Sequence, residues 1–229
     1  MDLTVLESSN SFMIKWFEEY SNLNSQQYDT FLKLVQQVQD DMTIFYKMNE
    51  VLDNDIDTYA YDGNGWSVSF TPEGESFKLE SSFGNIVLDY YAYKTILSKI
   101  VDIYSETYPL GTVVEINSNY LIDMIPIEDD EPIKLVILNR FLKFTDGMFF
   151  YYTGVLYPLG NSGTTISMVH FNPIAIDKVV HMGYTDEQDT QYVGITKKEM
   201  LIDMGLHSTT ITTKEEQEIV SNQAVKLEN

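Results

Sequence analysis

The sequence predicts an α+β protein, with N-terminal helices plus a β-meander followed by a small, bent, barrel-like antiparallel sheet. Three observations predict it. Up to about residue 55, apolar residues recur every three to four positions, as on one face of a helix. From Asp57 the period falls to two, and Gly-rich turns punctuate it. From Tyr108 onward, strand-like runs alternate with Pro-Leu-Gly and Asp-Gly turns, the layout of several short strands with Gly corners.

Taken in order, Ser11 reads as the cap of a short helix over Phe12–Tyr20, with Phe12, Trp16 and Tyr20 on one face. Ser25 reads as the N-cap of a longer helix to about Leu52. Its apolar stripe is Tyr28, Phe31, Leu34, Val35, Val38, Met42, Phe45, Met48 and Leu52. Joined by the stretch Ser-Asn-Leu-Asn-Ser, the two make a helical hairpin. Its stripe packs on the chain's own sheet or offers a face to a helical partner. Beyond it, Thr58 to Tyr61, then Trp66, Val68 and Phe70, then Phe77 and Leu79 alternate with polar residues. Turns at Asp62-Gly63-Asn64-Gly65 and Pro72-Glu73-Gly74 join them into a three-stranded meander. A short strand at Ile86–Leu88 and a helix over Tyr91–Ser105, stopped by Pro109, complete residues 1–107.

The second half opens with Pro109 and Gly111 as a turn and Val113, Val114 and Ile116 as a strand. Ile133–Phe144 and Met148–Tyr157 are long apolar strands joined at Thr145-Asp146-Gly147, the strongest hairpin signal in the chain, with Gly147 expected at positive φ. Pro158, Gly160, Asn161 and Gly163 form a loop, and Ile166–Phe171 a further strand. Asn172-Pro173 reads as N-cap and first residue of a one-turn helix leading into Lys178–Met182. Past this unit, residues 108–188, the last segment, 189–229, reads as a short helix over Thr196–Met204 and a polar tail from His207. That tail is disordered or becomes helical on binding.

Composition excludes several classes of function. With 14 Lys+Arg against 35 Asp+Glu the formal charge is −21, a field that repels nucleic acid and anionic lipid. Acidity of this kind keeps a protein in solution or attracts a basic partner. The run Glu128-Asp129-Asp130-Glu131 is a candidate partner-binding patch on a solvated loop. No apolar stretch approaches the roughly 20 residues of a membrane span, and the start lacks the basic and apolar regions of a signal peptide. The absence of cysteine removes disulfide and thiolate chemistry. The expected setting is the cytoplasm.

Catalytic and metal chemistry finds no constellation. His170, His181 and His207 lie far apart and lack zinc spacing, so they read as structural histidines. Asp53-Asn54-Asp55-Ile56-Asp57 comes nearest to alternating calcium ligands but lacks the central Gly and distal Glu. Gly63-Asn64-Gly65 precedes no helix, which excludes a nucleotide fingerprint, and no Ser occupies a Gly-x-Ser-x-Gly elbow. The expectation is a non-enzymatic binding module without a cofactor.

The stretch from Tyr108 to about Gln188 resembles a small uncharacterised domain family of Gram-positive bacteria. Pro109, Leu110, Gly111, Thr112, Val113 and Val114 match its opening turn and strand; Arg140 follows in the next strand. Tyr152, Gly154, Tyr157, Pro158 and Gly160 match a Tyr-x-Gly segment running into a Tyr-Pro-x-Gly one, Phe171 and Asn172 a Phe-Asn turn, and Val179, Gly183 and Tyr184 the closing motif. Similar proteins are encoded in type VII secretion loci beside LXG polymorphic toxins, among small helical accessory proteins and immunity proteins. The resemblance implies a cytoplasmic chaperone or adaptor that binds an LXG toxin before export, or alternatively an immunity protein that neutralises the toxic domain. Residues 1–107 fall outside the resemblance.

Overall fold

The three-to-four periodicity of the N-terminus forms three helices: α1 (Ser9–Tyr20), α2 (Ser25–Val38) and α3 (Thr43–Asp53). This computed structural model describes residues 9–20, 22–38, 41–117, 132–145, 147–160 and 168–227. The single helix expected from Ser25 to Leu52 is broken after Val38. The Asp41 carboxylate accepts the Thr43 amide at 2.9 Å, and this local bond starts a new helix where the apolar stripe alone would have continued the old one. The cap of α2 lies one residue before Ser25. Asn24 Oδ1 accepts from the Gln27 amide and Gln27 Oε1 from the Asn24 amide, both at 3.0 Å, a reciprocal capping box. Asn54, left-handed at φ 65°, ends α3.

The chain divides into two compact units, Met1–Ser105 with Ile211–Asn229, and Glu106–Thr210. The segment 189–229, read from sequence as one stretch, is thus shared between them.

In the first unit the period-two stretch forms β1 (Tyr59–Gly63), β2 (Trp66–Glu73), β3 (Ser76–Ser81) and β4 (Gly84–Asp89), an antiparallel sheet in sequential order. Asn64 and Gly65, both at positive φ, make the two-residue turn between β1 and β2. Next comes α4 (Tyr90–Tyr104), capped by Asp89, whose carboxylate accepts the Ala92 amide at 2.8 Å. The core forms where the sheet meets the helices. Tyr93 is fully buried edge-on to Phe70 and Phe31, at 4.9 and 6.1 Å, and its hydroxyl donates to Ile86 O at 3.0 Å. Burying each such ring contributes about 1.5–3 kcal/mol.

The second unit carries β5 (Val113–Ile116), β6 (Ile133–Thr145), β7 (Met148–Leu156), β8 (Val169–Phe171) and β9 (Ile176–His181), the last preceded by a 3-10 turn at Pro173–Ala175. It ends with α5 (Glu187–Lys197), which runs on as a π turn over Lys198–Asp203, and β10 (His207–Ser208). The strand order β10-β7-β6-β5-β9 is antiparallel except for β10, which pairs in parallel with β7 over two residues. β8 pairs with β7 as well. The expected barrel-like closure is absent: among the described residues the sheet is open, with β9 at one edge. Register shifts in β6 between Ile137 and Asn139 and between Lys143 and Thr145, with Phe141 at φ 57°, interrupt its pairing with β7. Gly147, at φ 112°, turns β6 into β7.

Two C-terminal expectations change. The helix expected over Thr196–Met204 begins earlier, at Glu187, because Asp186 accepts the Asp189 amide at 2.9 Å and Glu187 and Asp189 lie in the favourable first turn. The polar tail contains α6 (Lys214–Leu227). It starts at a second capping box, with the Thr213 amide on Glu216 Oε2 at 2.8 Å and the Glu216 amide on Thr213 Oγ1 at 3.3 Å.

Candidate protein-binding surface

In the second unit, the residues that carry the resemblance build a backbone clasp. Buried Pro109 begins a turn in which Gly111, at φ 80°, donates to Ile137 O, and Ile137 donates back to Thr112 O, both at 2.9 Å. This ties the turn to β6. The fully buried Thr112 hydroxyl donates to Pro109 O at 2.7 Å and accepts the Gly183 amide at 3.0 Å, which ties it to the end of β9. At Gly183 a Cβ would stand 2.2 Å from Leu110 O and 2.8 Å from the Thr112 nitrogen, so only glycine fits the approach.

What this clasp holds outward is apolar. Leu110 is 47% exposed, Met182 46% and Tyr184 81%, and they flank the Gly111–Thr112 and Gly183 contacts directly. Backbone bonding beside three exposed large side chains makes a knuckle, the candidate surface of this unit.

Arg140 anchors α5 to the sheet. Its side chain, 4% exposed, donates to both oxygens of Asp189 at 2.6 and 3.3 Å and stacks 5.2 Å from the Tyr192 ring. The hydrogen bonds from Arg140 hold the Asp189 carboxyl below its ordinary value. Tyr152 is fully buried 5.3 Å from Phe171; its hydroxyl accepts the Tyr108 amide at 2.9 Å and donates to Glu106 O at 3.0 Å. Burial pushes that hydroxyl up, so it stays a neutral donor. Asn172 precedes the 3-10 turn as expected but caps nothing with its side chain. Its Oδ1 accepts from Tyr151 N and its Nδ2 donates to Thr209 Oγ1, joining β7 to the stretch after β10.

The remaining motif residues are structural or apart from the knuckle. A Cβ on Gly154 would meet Val136 O at 2.8 Å, so β6 and β7 approach closely there. Tyr157-Pro158, a cis peptide, and Gly160, at φ 59°, form the turn after β7. Glu128, Asp129, Asp130 and Glu131 lie outside the described residues, as does Asp146.

As for chemistry, the described residues contain no group of three or more His, Cys, Asp or Glu able to hold a metal ion. Asp53, the head of the nearest calcium-like stretch, instead meets buried Lys94 through both oxygens at 2.7 and 2.8 Å, with Asn49 Oδ1 at 2.6 Å from the same ammonium. His170 Nδ1 lies 2.9 Å from Thr153 Oγ1, and burial lowers its pKa, so the ring is neutral at pH 7. Among the described helices none is long and apolar enough to cross a membrane.

Sequence reasoning reached Arg140 but missed Asp189, although the Asp186-x-x-Asp189 spacing marks a helix start and fixes where such a carboxylate would sit. No curated protein and no solved structure matches the chain. Residues 107–192, the stretch that contains the clasp and the Arg140–Asp189 pair, match the family model of a domain of unknown function (DUF4176), and in that segment the chain is similar to that family.

Proposed function

We propose that this chain is a non-enzymatic chaperone or adaptor that binds an LXG-type toxin in the cytoplasm and supports its export by a type VII secretion system. The observation that carries the reading is the knuckle: Leu110, Met182 and Tyr184 stand exposed on a clasp of buried hydrogen bonds. A backbone held this rigidly loses little freedom on binding a protein. The resemblance to proteins encoded beside LXG toxins supplies the partner. The acidic surface supports a basic cargo, and small helical accessory proteins are further partners on the same grounds.

The test is co-purification of the full chain with halves of the toxin encoded beside it. Capture by the N-terminal export half, lost in Tyr184→Ala while the melting temperature stays within 2 °C, is the expected result. Capture by the toxic half, together with rescue of growth when that half is expressed in the cytoplasm, overturns it in favour of an immunity protein.

A further inference from the structure

The first unit holds a cleft of about 300 Å³ beside the start of α4. Its floor is apolar: Trp16 of α1 and Ile96 of α4 are buried, with Leu23 and Leu88 alongside. Its rim carries the exposed Asp89 carboxylate and Tyr91, whose hydroxyl donates to Glu215 at 3.0 Å. The Glu215 carboxyl lies below its ordinary value, first through its backbone amide and then through Tyr91, and stays ionised. Among the described residues no Lys, Arg or His lines the cleft. The surrounding unit has 21 acidic residues against 8 basic, and two of the basic ones, Lys94 and Lys99, are buried. The second unit is more balanced, at 14 against 6. The cleft therefore lies in the more acidic of the two units, with the Asp89 carboxylate on its rim to meet a basic partner.

We propose that this cleft seats a basic amphipathic helix of a protein partner. One apolar side chain lies on the Trp16–Ile96 floor, and a lysine or arginine meets the Asp89 carboxylate. A helix fits because residues three or four apart project side by side, about 5–6 Å between Cβ atoms, which supplies an apolar and a cationic group together. The occupant's charge follows from the rim, which rejects an acidic helix of the same apolar pattern. The cleft lies outside the family-matched segment. It adds a second contact to the toxin-binding reading and rests on that reading for the identity of the partner alone.

The probe is a fluorescent 18-residue helical peptide of leucine and lysine in amphipathic order, with a second peptide carrying glutamate for lysine. Anisotropy against the full chain at physiological salt reads binding. Ala92→Trp and Thr95→Trp, on the outer part of α4, fill the cleft without changing charge. Asp89→Asn removes the rim charge but keeps a residue that caps helices.

The leucine–lysine peptide is expected to bind at least tenfold more weakly to both tryptophan variants and at least threefold more weakly to Asp89→Asn, with thermal melts unchanged. The leucine–glutamate peptide is expected to bind at least tenfold more weakly than its lysine counterpart to the unaltered chain. Equal binding to the unaltered chain and the tryptophan variants means attraction by overall charge alone and overturns the proposal, as does equal binding of the two peptides. The N-terminal toxin half forms a separate arm. Failure to capture it while peptide binding remains cleft-dependent overturns the toxin reading and leaves the cleft standing. Intact capture with cleft-independent peptide binding does the reverse.

Discussion

Replacing Gly183 by alanine tests the clasp directly. The added methyl would stand 2.2 Å from Leu110 O, and real Cβ atoms essentially never come within 3.0 Å of such an atom. The obstacle is backbone on both sides, Leu110 O and the Thr112 nitrogen, so no side chain can swing away. The end of β9 and the Pro109–Thr112 turn must therefore separate by about 1 Å. That stretches the Gly183 amide to Thr112 Oγ1 bond, now 3.0 Å, beyond hydrogen-bond range. Forcing atoms into a packed site costs about 1–3 kcal/mol, and losing the bond adds about 0.5–1.5 kcal/mol. The sum, about 1.5–4.5 kcal/mol, lowers the melting temperature of a unit of this size by about 6 °C or more. Thermal melts of the full chain should show this, and hydrogen exchange should speed up at Val113 and Val114 of β5. A variant that melts within 2 °C of the unaltered chain, with exchange in β5 unchanged, would refute the close approach.

Gly147→Ala is the contrasting case. Its φ of 112° disfavours any side chain, but among the described residues, its chain neighbours aside, nothing lies within 4 Å of the new Cβ. The cost should be about 1 kcal/mol, read as a shift in the urea midpoint, and larger for Gly147→Val. A loss equal to that of Gly183→Ala would contradict the distinction between strain and clash. Lys94→Met leaves the Asp53 carboxylate without its buried cation and should cost about 3 kcal/mol. Lys94→Met with Asp53→Leu should recover most of it in chemical denaturation. Asp189 has its pKa lowered in the folded chain, so it contributes stability above its unfolded pKa near 3.9, and that contribution is lost as pH falls through the lower folded value. Asp189→Asn should therefore flatten the acid limb of stability below about pH 4 and change nothing in the slope above pH 5.

The α+β class was legible because two periods alternate cleanly along the chain. Trp66, Val68 and Phe70 alternate with serines, and Tyr93, Ile96, Leu97 and Ile100 follow a helix, so the burial of each set follows from spacing alone. The break between α2 and α3 was hidden because Val38, Met42 and Phe45 keep helical spacing across it; one Asp41 side-chain bond decides the matter. The openness of the second sheet was likewise illegible. Closure depends on which strands share an edge, and β8 and β10 both take the outer edge of β7, a long-range outcome with no local signature. For the surface, Pro109, Gly111, Gly183 and Tyr184 were singled out by resemblance, but the reason glycine is required at 183 is a clash with a residue 73 positions earlier. Spacing along the chain cannot encode that contact.

The first unit is built from two stretches of chain separated by Glu106–Thr210. Ile211, at 2% exposed, and Glu215 on the Tyr91 hydroxyl belong to its later stretch. During synthesis the host fold therefore waits, one stretch short, while about a hundred residues of guest emerge. Closing so long a loop as open chain costs about 4 kcal/mol by the logarithmic scaling of loop entropy. A guest that folds first replaces that loop by a structured body, whose own completion then governs when the host can close. Lesions in the guest, Gly183→Ala among them, should accordingly leave the host open on the ribosome and exposed to proteases, even though every host residue is intact.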